Sequence, residues 1–332
     1  MIRHTSINHN PQTIVWHNKN LVDWTFAGKV YTCLDESKKD LGRYSYSSFD
    51  FDSAISSDSG EYICLYQRLG TKGILLKNGN LIREINRSYY YANTYEYPVA
   101  FATLSDGSTI LIHCPNRYCQ LDFEDVETGK ALTSHIYREP MDFFHSRLEV
   151  SPDNKYLLSK GWIWQPFDYI AAYNIEECIK NPLLLDKWSY QKPASNGDIN
   201  TACFINNNKV LIGTDETVEA FDEDDKDLLN PGQIAIWDIE NNEVKDIKHI
   251  DSSFGNLFTI NENYAWDFYK FPKIIDLRTG QIVDQIENFN SGNQNSSIIH
   301  HLPNLPTIVY NKKSKAVAIK TDKSIEIFEF ES

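Results

Sequence analysis

Short apolar runs alternate with clusters of Asn, Asp, Ser, Gly and Pro along the whole chain, and the alternation repeats. One turn type recurs between two strand-like runs: His17-Asn18-Lys19-Asn20, Ser57-Asp58-Ser59-Gly60, Ser105-Asp106-Gly107, Ser151-Pro152-Asp153-Asn154, Asn206-Asn207-Asn208, Asn261-Glu262-Asn263 and Lys312-Lys313-Ser314. These residue types supply the dihedrals that a tight reversal needs. One residue per turn, at 18, 58, 106, 153, 207, 262 and 313, gives seven landmarks 40 to 55 residues apart, about 49 on average. A second landmark follows in phase, a strand, a turn and another strand: Leu76 to Ile82 around Asn78-Gly79, Val126 to Leu132 around Thr128-Gly129, Trp237 to Val244, and Ile275 to Ile282 around Thr279-Gly280. Asn-Gly between apolar runs is a strong hairpin signal. Two turn types in fixed order predict a four-stranded antiparallel repeat.

Seven such units stacked in the open would leave long unpaired edges, whereas radial closure leaves only short, protected ones. The pattern therefore predicts one all-β domain over residues 1–332, a seven-bladed β-propeller of four-stranded antiparallel blades. The last unit, Lys315 to Thr321 and then Ser324 to Phe330, stops one strand short. Ile2 to Ile7 precedes the first unit and is expected to supply that strand, closing the ring against Ile325 to Phe330. The only helix signal is Asn174-Ile-Glu-Glu177, an N-cap with a capping-box Glu, read as a short insertion in the fourth blade.

If strands run from the axis outward, the first-to-second and third-to-fourth turns share one face. The second-to-third and inter-blade connections share the other. Length and chemical variety then collect on the second face: Tyr89 to Tyr97, His135 to His145, Gly161 to Phe167, Asp215 to Pro231 and Phe289 to Pro303. The candidate binding residues are Tyr90, Tyr91, Tyr95, Phe143, Phe144, Trp162, Trp164 and Phe167, together with the acidic run Asp222, Glu223, Asp224 and Asp225. Trp and Tyr are over-represented at binding hot spots, because they bury much area at low entropy cost. The same rings also suit packing between blades, and both readings of them stay open. In the acidic run, Lys226 stands where a calcium loop needs a third oxygen ligand, and no Gly follows.

Composition narrows the function. The 332 residues carry 32 Lys+Arg against 46 Asp+Glu, a net charge of −14, and no basic stripe. Nucleic-acid binding is not expected, since phosphate contacts need clustered cations. The excess suits solubility, a monomer in isolation and electrostatic steering of a basic partner. The N-terminus lacks an apolar signal region, and no uncharged apolar run approaches a membrane span, so the expectation is a cytoplasmic protein without membrane attachment. The six cysteines show no CxxC pair and read as reduced, mostly buried thiols. His113-Cys114 with Cys119 has no second ligand pair, so neither a zinc site nor a cofactor is expected. His300-His301, in an extended segment, would point to opposite faces. No GxSxG, Ser-x-x-Lys, HExxH or phosphate-binding glycine loop occurs, which argues against an enzyme.

The Ser-Pro-Asp-Asn turn at 151–154, the Trp237-Asp238-Ile239 strand and the Thr-Gly turns resemble those of bacterial WD40-like β-propellers across all seven units. Ser151 to Pro166 also resembles a stretch of uncharacterised bacterial propellers. The Trp-Asp signature is matched at Trp237-Asp238. Such a fold implies no particular activity. The expected function is a non-catalytic, protein-binding propeller, in the concrete form of an immunity protein that neutralises a basic toxin. The alternatives are a hydrolase or lactonase with a metal in the central channel, and a cytosolic regulatory scaffold.

Overall fold

The computed structural model describes all residues but 32–39, 188–190, 218, 223–226, 304 and 332, and its strands form seven separate antiparallel sheets. Strand β1 (Ile2–Ile7) stands ahead of blade 1, which holds β2 (Val15–His17), β3 (Asn20–Asp23) and β4 (Lys29–Tyr31). Blade 2 holds β5 (Ser53–Ser56), β6 (Tyr62–Tyr66), β7 (Lys72–Lys77) and β8 (Asn80–Asn86). Blade 3 holds β9 (Val99–Thr103), β10 (Thr109–His113) and β11 (Asp122–Asp125). Blade 4 holds β12 (Phe143–Phe144), β13 (Glu149–Val150), β14 (Tyr156–Ile163) and β15 (Phe167–Asn174). Blade 5 holds β16 (Thr201–Phe204), β17 (Lys209–Thr214), β18 (Gln233–Asp238) and β19 (Glu243–His249). Blade 6 holds β20 (Leu257–Thr259), β21 (Tyr264–Asp267), β22 (Lys273–Asp276) and β23 (Ile282–Gln285). Blade 7 holds β24 (Thr307–Tyr310), β25 (Val317–Lys320) and β26 (Ile325–Phe330), and takes β1 as its outer strand. First strands of neighbouring blades touch, β24 with β2, β2 with β5, β9 with β13 and β16 with β20, so they line the ring's inside. The chain is a seven-bladed β-propeller.

All seven turn landmarks join the first two strands of a blade. Ring closure follows the expected pairing, antiparallel from Ile2 opposite Phe330 to Ile7 opposite Ile325. The helix is α1 (Ile175–Lys180), capped by the Asn174 side chain, which accepts from the Glu177 amide at 3.2 Å. A 3-10 turn, Pro182–Asp186, follows it.

Uniform four-stranded blades do not hold throughout. Among the described residues five sheets have four strands, and those of blades 1 and 3 have three. In blade 1, β4 is followed by residues 32–39, which lie outside the described residues. In blade 3 the fourth strand shrinks to one bridge, Ala131 with Glu124. There the chain turns inward, because the buried Thr133 hydroxyl bonds the Asp122 carboxylate at 3.2 Å. In blade 4 the inner strand is broken, with β12 and β13 pairing opposite ends of β14. Arg147 sits between them at φ +43°.

Among the described residues the apolar core divides into eight clusters, seven of them between neighbouring blades and the eighth formed by Tyr95, Phe144 and Trp162. A blade buries both faces, so its second strands, as in β6 and β10, carry apolar residues at consecutive positions rather than at every second one. In β6, Ile63 and Leu65 pack toward blade 1, while Tyr62, Cys64 and Tyr66 pack toward blade 3. Cys64, Cys114, Cys119, Cys178 and Cys203 are free and buried, and burial pushes the Cys64 thiol up. Cys33 lies outside the described residues.

One buried ion cluster ties the helical insertion to blade 3. Arg138 donates to Asp186 at 2.6 and 3.1 Å, to Asp122 at 3.1 Å and to the Leu121 carbonyl at 2.6 Å. Arg138→Met would strand two nearly buried carboxylates. Urea unfolding is expected to show a loss of about 3–5 kcal/mol. A change under about 1 kcal/mol would mean that the insertion is held by its apolar contacts instead.

Candidate functional site

The long connections leave the ring on one face, and a contiguous aromatic group is built there from three of them. Its base is made by strand pairing. Phe144 in β12 lies opposite Trp162 in β14, and their rings stack at 3.8 Å and 7°. This close approach needs Gly161, where a Cβ would fall 1.9 Å from the Phe144 carbonyl oxygen. Tyr95 meets the Phe144 ring edge-on at 5.5 Å, and Tyr118 stacks on it at 4.3 Å.

Arg87 sets the shape of the tyrosine loop. Its guanidinium donates to the carbonyls of Gly70 (2.7 Å), Tyr95 (3.0 Å) and Ala92, and lies over the Tyr95 and Tyr97 rings at 4.7 and 4.9 Å. A planar cation with several donors can bind carbonyls along its edge while its face rests on rings. The loop above it places Tyr91 in the left-handed region, φ +52°. Tyr90 and Tyr91 are thereby seated on the buried rings. Tyr91 stands edge-on to Trp164 at 5.2 Å, and Tyr90 lies 4.8 Å from Tyr118. Exposure separates the group into two layers: Tyr90 47%, Tyr91 44% and Trp164 39%, against 2% for Trp162 and none for Tyr95 and Phe144. Beside them, Ser88, Tyr89, Asn93 and Asn116 complete a shallow depression.

Of the residues singled out in the sequence, Tyr90, Tyr91, Tyr95, Phe144, Trp162 and Trp164 come together. Tyr95, Phe144 and Trp162 form its interior and offer no surface of their own. Phe143 points to the other side of its strand, into the core between blades 3 and 4. Phe167 is a separate feature, edge-on to the exposed Phe221 at 5.8 Å. Asp222 follows Phe221 and is anchored through its amide, which donates to Asn196 at 2.7 Å. Glu223, Asp224 and Asp225 lie outside the described residues. Arg87, Tyr118 and Phe221 were not singled out. Tyr118 sits in the 114–119 segment, whose signal in the sequence was its cysteines.

The connection from β23 to β24 has a distinct course. It runs round the mouth of the ring, touching blade 6, then blades 5, 4, 3 and 2, before entering blade 7. Gly292 accepts from the Lys270 amide at 2.7 Å, and Asn295 from the Asn200 side chain at 2.7 Å. The Ser297 amide donates to Asp168 at 2.9 Å, and the Ile299 amide to the Thr94 carbonyl at 2.8 Å. Arg68 holds the Leu305 and Pro306 carbonyls at 2.7 and 3.1 Å. Where this belt crosses blade 4, burial raises the Asp168 carboxyl, and it pushes that of Asp198 up to about 6. His300 and His301 lie on a turn of this belt, not in an extended segment. Their rings are edge to face at 5.4 Å.

Among the described residues, no three His, Cys, Asp or Glu side chains gather where one metal ion could be held. No helix among them is long and apolar enough to cross a membrane. No protein-family model matches the chain, and a search of curated proteins finds no match to it.

Proposed function

We propose that this chain is a non-catalytic binding propeller that docks a basic protein partner on its long-loop face. In its concrete form it is a monomeric immunity protein that neutralises a toxin in the bacterial cytoplasm. The WD40-like kinship suggested by Ser151 to Asn154 and by Trp237-Asp238 belongs to the same reading. The observation that carries it is the layered aromatic group. Three partly exposed rings are held by buried ones, so they are already ordered before a partner arrives. Ordering beforehand lowers the entropy cost of binding. A carboxylate borders these rings, since Asp142 accepts the hydroxyl of Tyr118, which packs against Tyr90, and Asp222 stands at the separate Phe167–Phe221 pair. With a net charge of −14, the molecule attracts a cationic surface at long range.

The test is kinetic, on the partner once it is isolated. Trp164→Ala is expected to cost roughly 2 kcal/mol of binding, about a thirtyfold faster dissociation, with little change in association. Neutralising Asp222, Glu223, Asp224 and Asp225 is expected to slow association and flatten its salt dependence. Both variants should melt as the parent does. Equal binding by the combined variant would overturn the reading.

A further inference from the structure

The inside of the ring is not filled. The inner strands of blades 1, 2, 3, 4 and 7 enclose a cavity of about 310 Å³, within the usual size range of small-ligand sites. Its wall is apolar at mid-height, with Ala54, Ala100, Leu148 and Ile308. Its ends carry different polar groups.

The end toward the long loops carries Glu96 and Ser53, with Arg68 beside them donating to the Leu305 and Pro306 carbonyls. The Glu96 backbone carbonyl accepts the Ser146 hydroxyl at 3.2 Å, but its carboxylate accepts no hydrogen bond from the described residues. Ser53 is 3% exposed, and its hydroxyl has no hydrogen-bond partner among them. An unpaired buried hydroxyl costs about 1–3 kcal/mol. The end toward the short turns carries Lys312 and Lys313, with Asp58 across from them. Lys312 reaches from blade 7 to the Val150 carbonyl of blade 4, with its Nζ donating at 2.8 Å. That leaves an ammonium two further donors. Both lysines and Asn18 are solvent-facing or half-buried, so the cavity opens on the short-turn face, away from the aromatic group.

An acceptor at one end, ammonium groups at the other and an apolar wall between them complement a molecule with the reverse order. We propose that the axial cavity binds a short apolar peptide with free termini, its ammonium on Glu96 and Ser53 and its carboxylate on Lys312. The five-residue inner strand β9 spans about 16 Å at the usual rise. Two or three extended residues span about 7–10 Å, which leaves room for both terminal charges and the side chains that meet them. The site is independent of partner docking, because it opens on the opposite face.

The experiment is calorimetric titration of the whole protein with Leu-Leu and Ala-Leu-Ala, beside their N-acetylated and C-amidated forms. The free peptides are expected to bind with a dissociation constant on the order of 10–100 μM, and each cap to weaken binding at least about tenfold. Glu96→Gln should abolish the penalty for N-acetylation alone, and Lys312→Met the penalty for C-amidation alone. Ser53→Ala should weaken the free peptides several-fold while leaving the melt without peptide unchanged or higher, which keeps the test valid if Lys312→Met fails to fold. No binding at about 5 mM, or equal binding of free and capped peptides, would overturn the proposal.

Discussion

Removing residues 1–9 is expected to lower the thermal midpoint by roughly 5–10 °C and to make the protein aggregate. The strand lost is the outer member of blade 7, paired along its whole length with β26. Ile2 packs on the cluster between blades 6 and 7, and Ile7 on that between blades 7 and 1. Ser6 bonds Glu326 at 2.9 Å, and the Ile2 amide bonds Asp284 at 2.7 Å. Two half-buried isoleucines and these bonds sum to several kcal/mol, and each kcal/mol moves the midpoint of a large domain by about 2 °C. The exposed strand would then be Ile-Glu-Ile-Phe-Glu-Phe, β-prone and free to pair with another chain. Differential scanning calorimetry with light scattering reads both effects. An unchanged melt without scattering would mean that β1 does not hold the ring closed.

Trp162→Ala is expected to destabilise by about 3–5 kcal/mol in denaturant unfolding, against under about 1 kcal/mol for Trp164→Ala. Two residues apart, they belong to different environments. Trp162 is inside, stacked on Phe144, and its loss leaves a cavity beneath Tyr91. Trp164 stands partly in solvent. Trp162→Phe should recover most of the loss, since it keeps a stacked ring and removes an indole N–H that has no acceptor among the described residues. Comparable losses for Trp162→Ala and Trp164→Ala would collapse the distinction between support and contact surface.

What could be read in advance follows from locality. A tight turn is written in three or four adjacent residues, so all seven inner hairpins were legible, as was the Asn174 cap. The missing outer strand was legible because a repeat that stops short has one available donor. The layering of the aromatic group was not. It depends on β14 ending at Ile163 and on which side of β12 each phenylalanine faces, and both are set by pairing across about 20 residues. The belt was hidden for a related reason. Ser291 to Ser297 is polar throughout and reads as a solvated loop, yet Ser291 and Ser297 are buried. Their partners, the Phe268 carbonyl and the Asp168 carboxylate, lie in blades 6 and 4. Only the closed ring brings them near.

The pairing of β1 with β26 also sets a clock on biosynthesis. Ile2 must wait for Phe330, and at about 5–20 residues per second the interval on the ribosome is roughly 15–60 s. Through that interval the first strand has no partner, and the face of blade 1 that carries Ile14 and Leu21 has no seventh blade to cover it. Six blades can settle in order as they emerge, each against the one before. The last step joins the two most distant parts of the chain at the full entropic cost of closing that loop. A nascent chain stalled before residue 325 would therefore present an open ring with two adhesive edges, and its fate would rest on whatever shields them until β26 emerges.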